Sequence, residues 1–144
     1  MTLMTFPPDA SFLIVDDMTG IRLLFKKSLK AFGYTDISEA PDVPSAIRLI
    51  EERAQSGKPF DLIFADYRMP GASGIDLLTH VRTSKNMKKV GFIMVTAESD
   101  KSIVVEAIHL GVDGYIVKPY SDEILKRKLS VAFDLYNKRM TKAS

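Results

Sequence analysis

The sequence predicts an α/β fold, a doubly wound parallel sheet of five strands with helices on both faces. Three observations carry this. Short apolar runs alternate along the whole chain with stretches whose apolar residues recur at helical spacing. The runs are almost continuously apolar, as strands buried on both faces must be. Finally, the chemically unusual residues fall just past the run ends: Asp16 and Asp17, then Asp66, Thr96 and Lys118. In such sheets ligands bind beyond the carboxyl ends of the strands, at the switch in strand order.

Each element follows in turn. Residues 12–15 form the first strand, and Ile21, Leu24, Phe25, Leu29 and Phe32 mark a helix that Gly33 stops. "TDISEA" (35–40) is a weaker strand. The second helix starts near Pro44, whose missing N–H costs nothing at a first helical position. Its inner stripe is Ala46, Ile47, Ile50 and Ala54, and Gly57 ends it. "FDLIFAD" (60–66) is the third strand, after which Ser73 caps a helix bearing Ile75, Leu77, Leu78 and Val81. "VGFIMVT" (90–96) precedes a helix marked by Ile103, Val104, Ala107 and Ile108 and closed by Gly111. "GYIVKP" (114–119) is the last strand, and Ser121 caps a helix running through Leu125, Leu129, Ala132, Phe133 and Tyr136.

At 144 residues the chain is one domain's worth, read as an extension (1–10), the domain (11–140) and a tail (141–144). A hydrophobic fraction of 46% and a charged fraction of 26% are those of a globular protein. Net charge is +2, and the small clusters at Lys85–Lys89 and Lys126–Lys128 read as solvated helix ends rather than a nucleic-acid patch. The absence of cysteine excludes disulfides and thiolate metal sites. "MTLMTFPPDA" lacks the basic and apolar regions of a signal peptide, and no apolar run reaches the roughly 18 residues of a membrane span. A cytoplasmic protein with no membrane insertion is expected.

Three carboxylates at one sheet edge repel one another unless a positive charge sits among them. A hard divalent cation with oxygen ligands answers this, and Mg²⁺ suits a site that leaves positions open to water and phosphate. No imidazole or thiolate is at hand for zinc. Lys118 adds a mobile cation and Thr96 a hydroxyl donor. A strand-end aspartate in that company is placed to attack a phosphoryl group.

"LIVDD", "DLIFADYRMPGASGIDLL", "IMVTAES" and "GYIVKPYS" together resemble the receiver domains of two-component response regulators, most closely the single-domain chemotaxis (CheY-like) type. The likeness runs from Phe12 to Tyr136. It implies a flavodoxin-like sheet with strand order 2-1-3-4-5 and a phosphoacceptor at Asp66. It implies Mg²⁺ held by Asp17 directly, by Asp16 through water or from behind the direct ligands, by Asp66 and by the Arg68 carbonyl. Thr96, with Ala97 beside it, and Lys118 would contact the phosphoryl group, and Tyr115 would be the aromatic that changes rotamer. A cis Lys118–Pro119 bond is expected. The separations from Asp66, thirty residues to Thr96 and fifty-two to Lys118, fit the pattern.

On this reading the chain is no enzyme in its own right. It takes a phosphoryl group from a histidine kinase or phosphotransfer protein, assists that transfer and its slow reversal, and presents a changed surface to a partner. A separate phosphatase is a possible further partner. The partner contacts expected are Lys101, Val105, Glu106, His109 and Lys128, on the face of the fourth helix, fifth strand and fifth helix. Eight residues beyond Tyr136 leave no room for an output domain, so output must be docking. Chemotactic motor control is the leading output; a phosphorelay intermediate and a phosphorylation-inert docking receiver are the alternatives.

Some residues depart from the family's pattern. Asp42-Val43-Pro44 replaces a common Asp-Gly and stiffens that loop, and "RAQSGKPF" reads as a surface insertion. Arg68 and Glu98 flank the water approach to the acceptor, which favours a kinetic role over mere solvation. His80 and His109 read as helix-face residues, and the seven methionines as core filling. A phosphatase of the haloacid dehalogenase type wants Asp-x-Asp, but Met18 stands where the second aspartate would be. A nucleotide-binding loop would need more glycine than "DDMTGIR" offers.

Overall fold

A computed structural model describes residues 5–142. Its elements are β1 (Ser11–Val15), α1 (Thr19–Ala31), β2 (Asp36–Ala40), α2 (Val43–Gln55), β3 (Leu62–Ala65), α3 (Gly74–Thr83), β4 (Gly91–Thr96), α4 (Lys101–His109), β5 (Gly114–Val117) and α5 (Asp122–Thr141). All four strand pairings are parallel and the order is β2-β1-β3-β4-β5.

Register places the site. Val15 lies opposite both Ala40 and Ala65, and Thr96 lies opposite Val117. The Asp66 amide donates to the Val15 carbonyl at 3.0 Å, so Asp16 and Asp66 leave adjacent strands side by side. The alternation of strand side chains divides the core into two layers. Leu13, Val15, Ile63, Ala65, Phe92 and Met94 pack with α2, α3 and Ala107 of α4. Phe12, Ile14, Leu62, Phe64, Ile93 and Val95 pack with α1 and α5.

The helix starts follow local chemistry. Ser73 and Asp76 form a reciprocal capping box at α3, and the Ser121 hydroxyl accepts from Ile124 N at 3.1 Å at α5. Asp42 caps α2 by accepting from Ser45 N at 2.8 Å, which puts Val43 in the first helical position and Pro44 in the second.

Two apolar positions assigned inward face solvent instead: Leu24 is 65% exposed and Ile108 is 61% exposed. The sheet-facing seam of α1 is centred on Phe25 and Leu29, and Leu24 lies about 100° round the helix from Phe25. In α4 only Ala107 is fully buried, so the seam is one small residue wide and Ile108 falls off it in the same way.

The stretch ahead of β1 enters the core. Phe6 is buried edge-on against Phe12 and Phe133, and the Tyr34 hydroxyl donates to its carbonyl at 2.8 Å. At the amino ends of β4 and β5, buried Asp113 accepts from Arg82 at 3.1 Å, from Arg139 at 2.6 Å and from Phe92 N at 2.9 Å. This cluster joins α3, α5 and the sheet.

Candidate functional site

The carboxyl edge of the sheet gathers Asp16, Asp66, Thr96 and Lys118. Asp16 and Asp66 directly follow β1 and β3, and Lys118 follows β5 with its amide on the Thr96 carbonyl at 2.8 Å. Its ammonium donates to Asp16 Oδ2 at 2.9 Å and to Asp66 Oδ2 at 3.2 Å, bridging two carboxylates that would otherwise repel. Burial works against the charged amine, but the hydrogen bond to Asp16 and the charge of Asp66 outweigh it, so the Lys118 pKa is raised. The Lys118–Pro119 bond is cis.

Each carboxylate has further partners. Asp16 Oδ1 accepts from Met18 N at 2.9 Å, and Arg22 donates to the Asp16 carbonyl at 2.6 Å. Asp66 Oδ1 accepts from Arg68 N at 3.3 Å. Asp17 is exposed beside an open depression that it lines with Tyr67, Arg68 and Asp76, and among the described residues its carboxylate has no hydrogen bond or ion pair. Among the described residues no three His, Cys, Asp or Glu side chains form a group placed to hold a metal ion; Lys118 spans Asp16 and Asp66, and Asp17 is exposed. The donors nearby are nonetheless all oxygen: three carboxylates and the Arg68 carbonyl. That set suits a hard cation with open positions, Mg²⁺ rather than zinc.

The remaining residues form a rim on the β4 side. Thr96 is buried, and its hydroxyl accepts from Glu98 N at 3.2 Å. Ala97 is exposed. The Arg68 guanidinium reaches Glu98 Oε2 through Nε at 3.1 Å and Nη2 at 2.5 Å, so these two side chains do pair. The Tyr115 hydroxyl donates to the Glu98 carbonyl at 2.6 Å.

The proposed partner contacts Lys101, Val105, Glu106 and His109 are all exposed on α4, while Lys128 of α5 is only half-buried. Exposed Ile108, Val117 and Ile124 also belong to this region; the helical pattern assigned Ile108 inward and singled out neither of the other two. Gly74 is another omission. A Cβ there would lie 2.7 Å from Met94 Sδ and still nearer the Asp66 carbonyl, so the Asp66 backbone sits against a position that admits no side chain. The glycine of "GASGID" was the available signal.

Comparison with known proteins bears on this geometry. The family described as the response regulator receiver domain matches residues 12–130. The chain is 39% identical to a chemotaxis protein CheY of Pseudomonas aeruginosa over 87% of this chain and 97% of the relative. It is 35% identical to a chemotaxis protein CheY1 of Helicobacter pylori over 83% and 93%. A crystal structure of a CheY-like receiver protein from Methanospirillum hungatei superposes with a TM-score of 0.78 at 28% identity, covering 90% of this chain and 98% of that one. The chemotaxis response regulator CheY4 of Vibrio cholerae gives 0.72 at 30%, covering 86% and 98%.

Proposed function

This chain belongs to the response regulator receiver family, and we propose that it is a phosphoacceptor switch that takes a phosphoryl group onto Asp66. The observation that carries the proposal is the Lys118 ammonium held between Asp16 and Asp66, 3.2 Å from the acceptor carboxylate. It holds the Asp66 carboxylate in place and stands where new anionic oxygens must be met.

The donor is a phosphohistidine of a sensor kinase or phosphotransfer protein. An Asp66 carboxylate oxygen attacks phosphorus, a P–O bond forms, and the P–N bond breaks with its electron pair retained by the imidazole. Asp16, Asp17, Asp66 and the Arg68 carbonyl would hold Mg²⁺, which when bound offsets charge on the phosphoryl oxygens. Lys118 keeps contact with the product by passing from the carboxylate to a phosphoryl oxygen. The Thr96 hydroxyl and the Ala97 amide supply donors from β4. The Arg68–Glu98 pair stands over the water approach and tunes hydrolysis.

Output is a change on the α4–β5–α5 face, where Lys101, Val105, Glu106, His109 and Lys128 meet a protein partner. The relatives are named as chemotaxis proteins, which supports a motor or motility complex as that partner. No helix among the described residues is long and apolar enough to cross a membrane.

The test is phosphoryl uptake from acetyl phosphate with Mg²⁺, read as an 80 Da mass gain, about the mass of one PO₃ group. The parent should gain it and Asp66→Asn should not. Uptake by the variant, or none by the parent, overturns the assignment.

A further inference from the structure

A cavity of about 200 Å³ opens at the opposite edge of the sheet from Asp66, among the segments that lead into β3 and β4. Its apolar walls are Ile50, Phe60, Met87, Val90, Tyr136 and Met140. Lys85, Lys88 and Lys89 line it as well, and among the described residues no carboxylate pairs with any of the three. Tyr136 and Met140 lie past residue 130, so two of the walls fall outside the span that the receiver family matches.

The walls are fixed before any ligand arrives. The Tyr136 hydroxyl donates to Asp61 Oδ1 at 2.6 Å, and the Arg53 guanidinium stacks 4.5 Å over the Phe60 ring. The loop that carries the lysines is pinned through its carbonyls. Arg82 donates to Lys88 O at 2.9 Å and to Val90 O at 2.5 Å, and Arg139 donates to Lys89 O at 3.3 Å. Both guanidiniums are anchored in turn on buried Asp113. A cavity whose walls need no ordering loses little entropy on binding.

We propose that this cavity binds a small organic acid with one aromatic or branched apolar group. An enclosed apolar space of about 150 Å³ accommodates benzene, so about one ring fits here. The carboxylate would then lie at the mouth against Lys85, Lys88 and Lys89. An uncharged hydrocarbon would leave three unpaired ammonium groups unused. Exposed Glu51, in the adjoining groove shared with Met87, disfavours a second negative charge on the ligand. The site is independent of Asp66 chemistry.

The probe is 3-phenylpropionate, titrated against the ¹⁵N-labelled full chain, with 3-phenylpropanamide as the uncharged control. The acid should give saturable shifts clustered at Phe60, Met87–Val90 and Tyr136, and the amide should bind about tenfold more weakly. The double substitution Lys88→Gln with Lys89→Gln should bring the acid to the level of the amide. Ala54 also lines the cavity, and Ala54→Leu should weaken both ligands by filling the space; if that variant unfolds, the charge comparison still decides. Equal binding of acid and amide overturns the proposal, as do shifts that never saturate or scatter over the surface. So does an acidic amphipathic peptide that shifts these residues when the acid does not, since the site is then a protein-docking one.

Discussion

The Tyr115 hydroxyl donates a 2.6 Å hydrogen bond to the main-chain carbonyl of Glu98, and Glu98 in turn holds Thr96 and Arg68. The Glu98 amide donates to the Thr96 hydroxyl and the Glu98 carboxylate receives Arg68, so one residue meets Thr96, Tyr115 and the loop after Asp66. An inward swing of Tyr115 must break its bond to Glu98, at a cost of about 1 kcal/mol. A phosphoryl group on Asp66 need supply only a few kcal/mol of preference to shift the population.

Thr96→Ala should therefore still accept phosphate on Asp66 but transmit it poorly. Partner affinity, measured with and without phosphorylation, should differ several-fold in the parent and hardly at all in the variant. Transmission equal to the parent's would break the proposed coupling between Thr96 and Tyr115.

Lys118→Ala should destabilise the metal-free protein by about 3 kcal/mol, because it leaves Asp16, with its buried side chain, facing Asp66 uncompensated. Adding Asp66→Asn should recover part of that loss, while Asp66→Asn alone should change stability little. Urea melts of the four proteins give the coupling directly.

Mg²⁺ should raise the unfolding free energy by mass action, about 1.4 kcal/mol at ten times its Kd. Asp17→Ala should abolish most of the rise and Asp16→Ala less of it. Calorimetric melts with and without Mg²⁺ check this, and a parent indifferent to Mg²⁺ would rule the acidic edge out as a metal site.

Stability should also fall as the solution is made alkaline. Burial, helped by the charges of Asp122 and Asp16, pushes the Tyr120 hydroxyl from 10.0 up to about 12. A group whose pKa is raised on folding contributes fully below its unfolded value and loses that contribution as pH climbs through the folded one. Between pH 10 and about 12 the unfolded chain thus ionises while the folded one resists. Tyr120→Phe should flatten this part of the curve by at most about 2 kcal/mol after allowance for solvent screening. Denaturant midpoints of both proteins across the alkaline range provide the measurement.

The topology and the site's edge were legible because they rest on periodicity and on polar residues at strand ends. Asp16, Asp66, Thr96 and Lys118 were found from position alone, and the structure brings them together. What stayed hidden depends on three-dimensional neighbours. Nothing local distinguishes Leu24 from Phe25, since a one-residue rotation of the helix decides which of them faces the sheet. Asp113 reads as an ordinary turn residue until Arg82 and Arg139 arrive from helices distant in sequence. Phe6 lies in a proline-flanked stretch without any period, and its burial depends on Phe133 and Tyr136 at the far end of the chain.

That last contact decides how the protein can be cut. A fragment trimmed to the matched span, 12–130, would discard Phe6, Phe133, Tyr136 and Arg139 while keeping Phe12 and Asp113, the residues they cover or neutralise. Such a fragment would retain every group at the acidic edge and yet expose an aromatic surface and a half-neutralised aspartate at the other end. A fragment that keeps this packing has to include Phe6 and the later turns of α5 as well as the residues of the acidic edge.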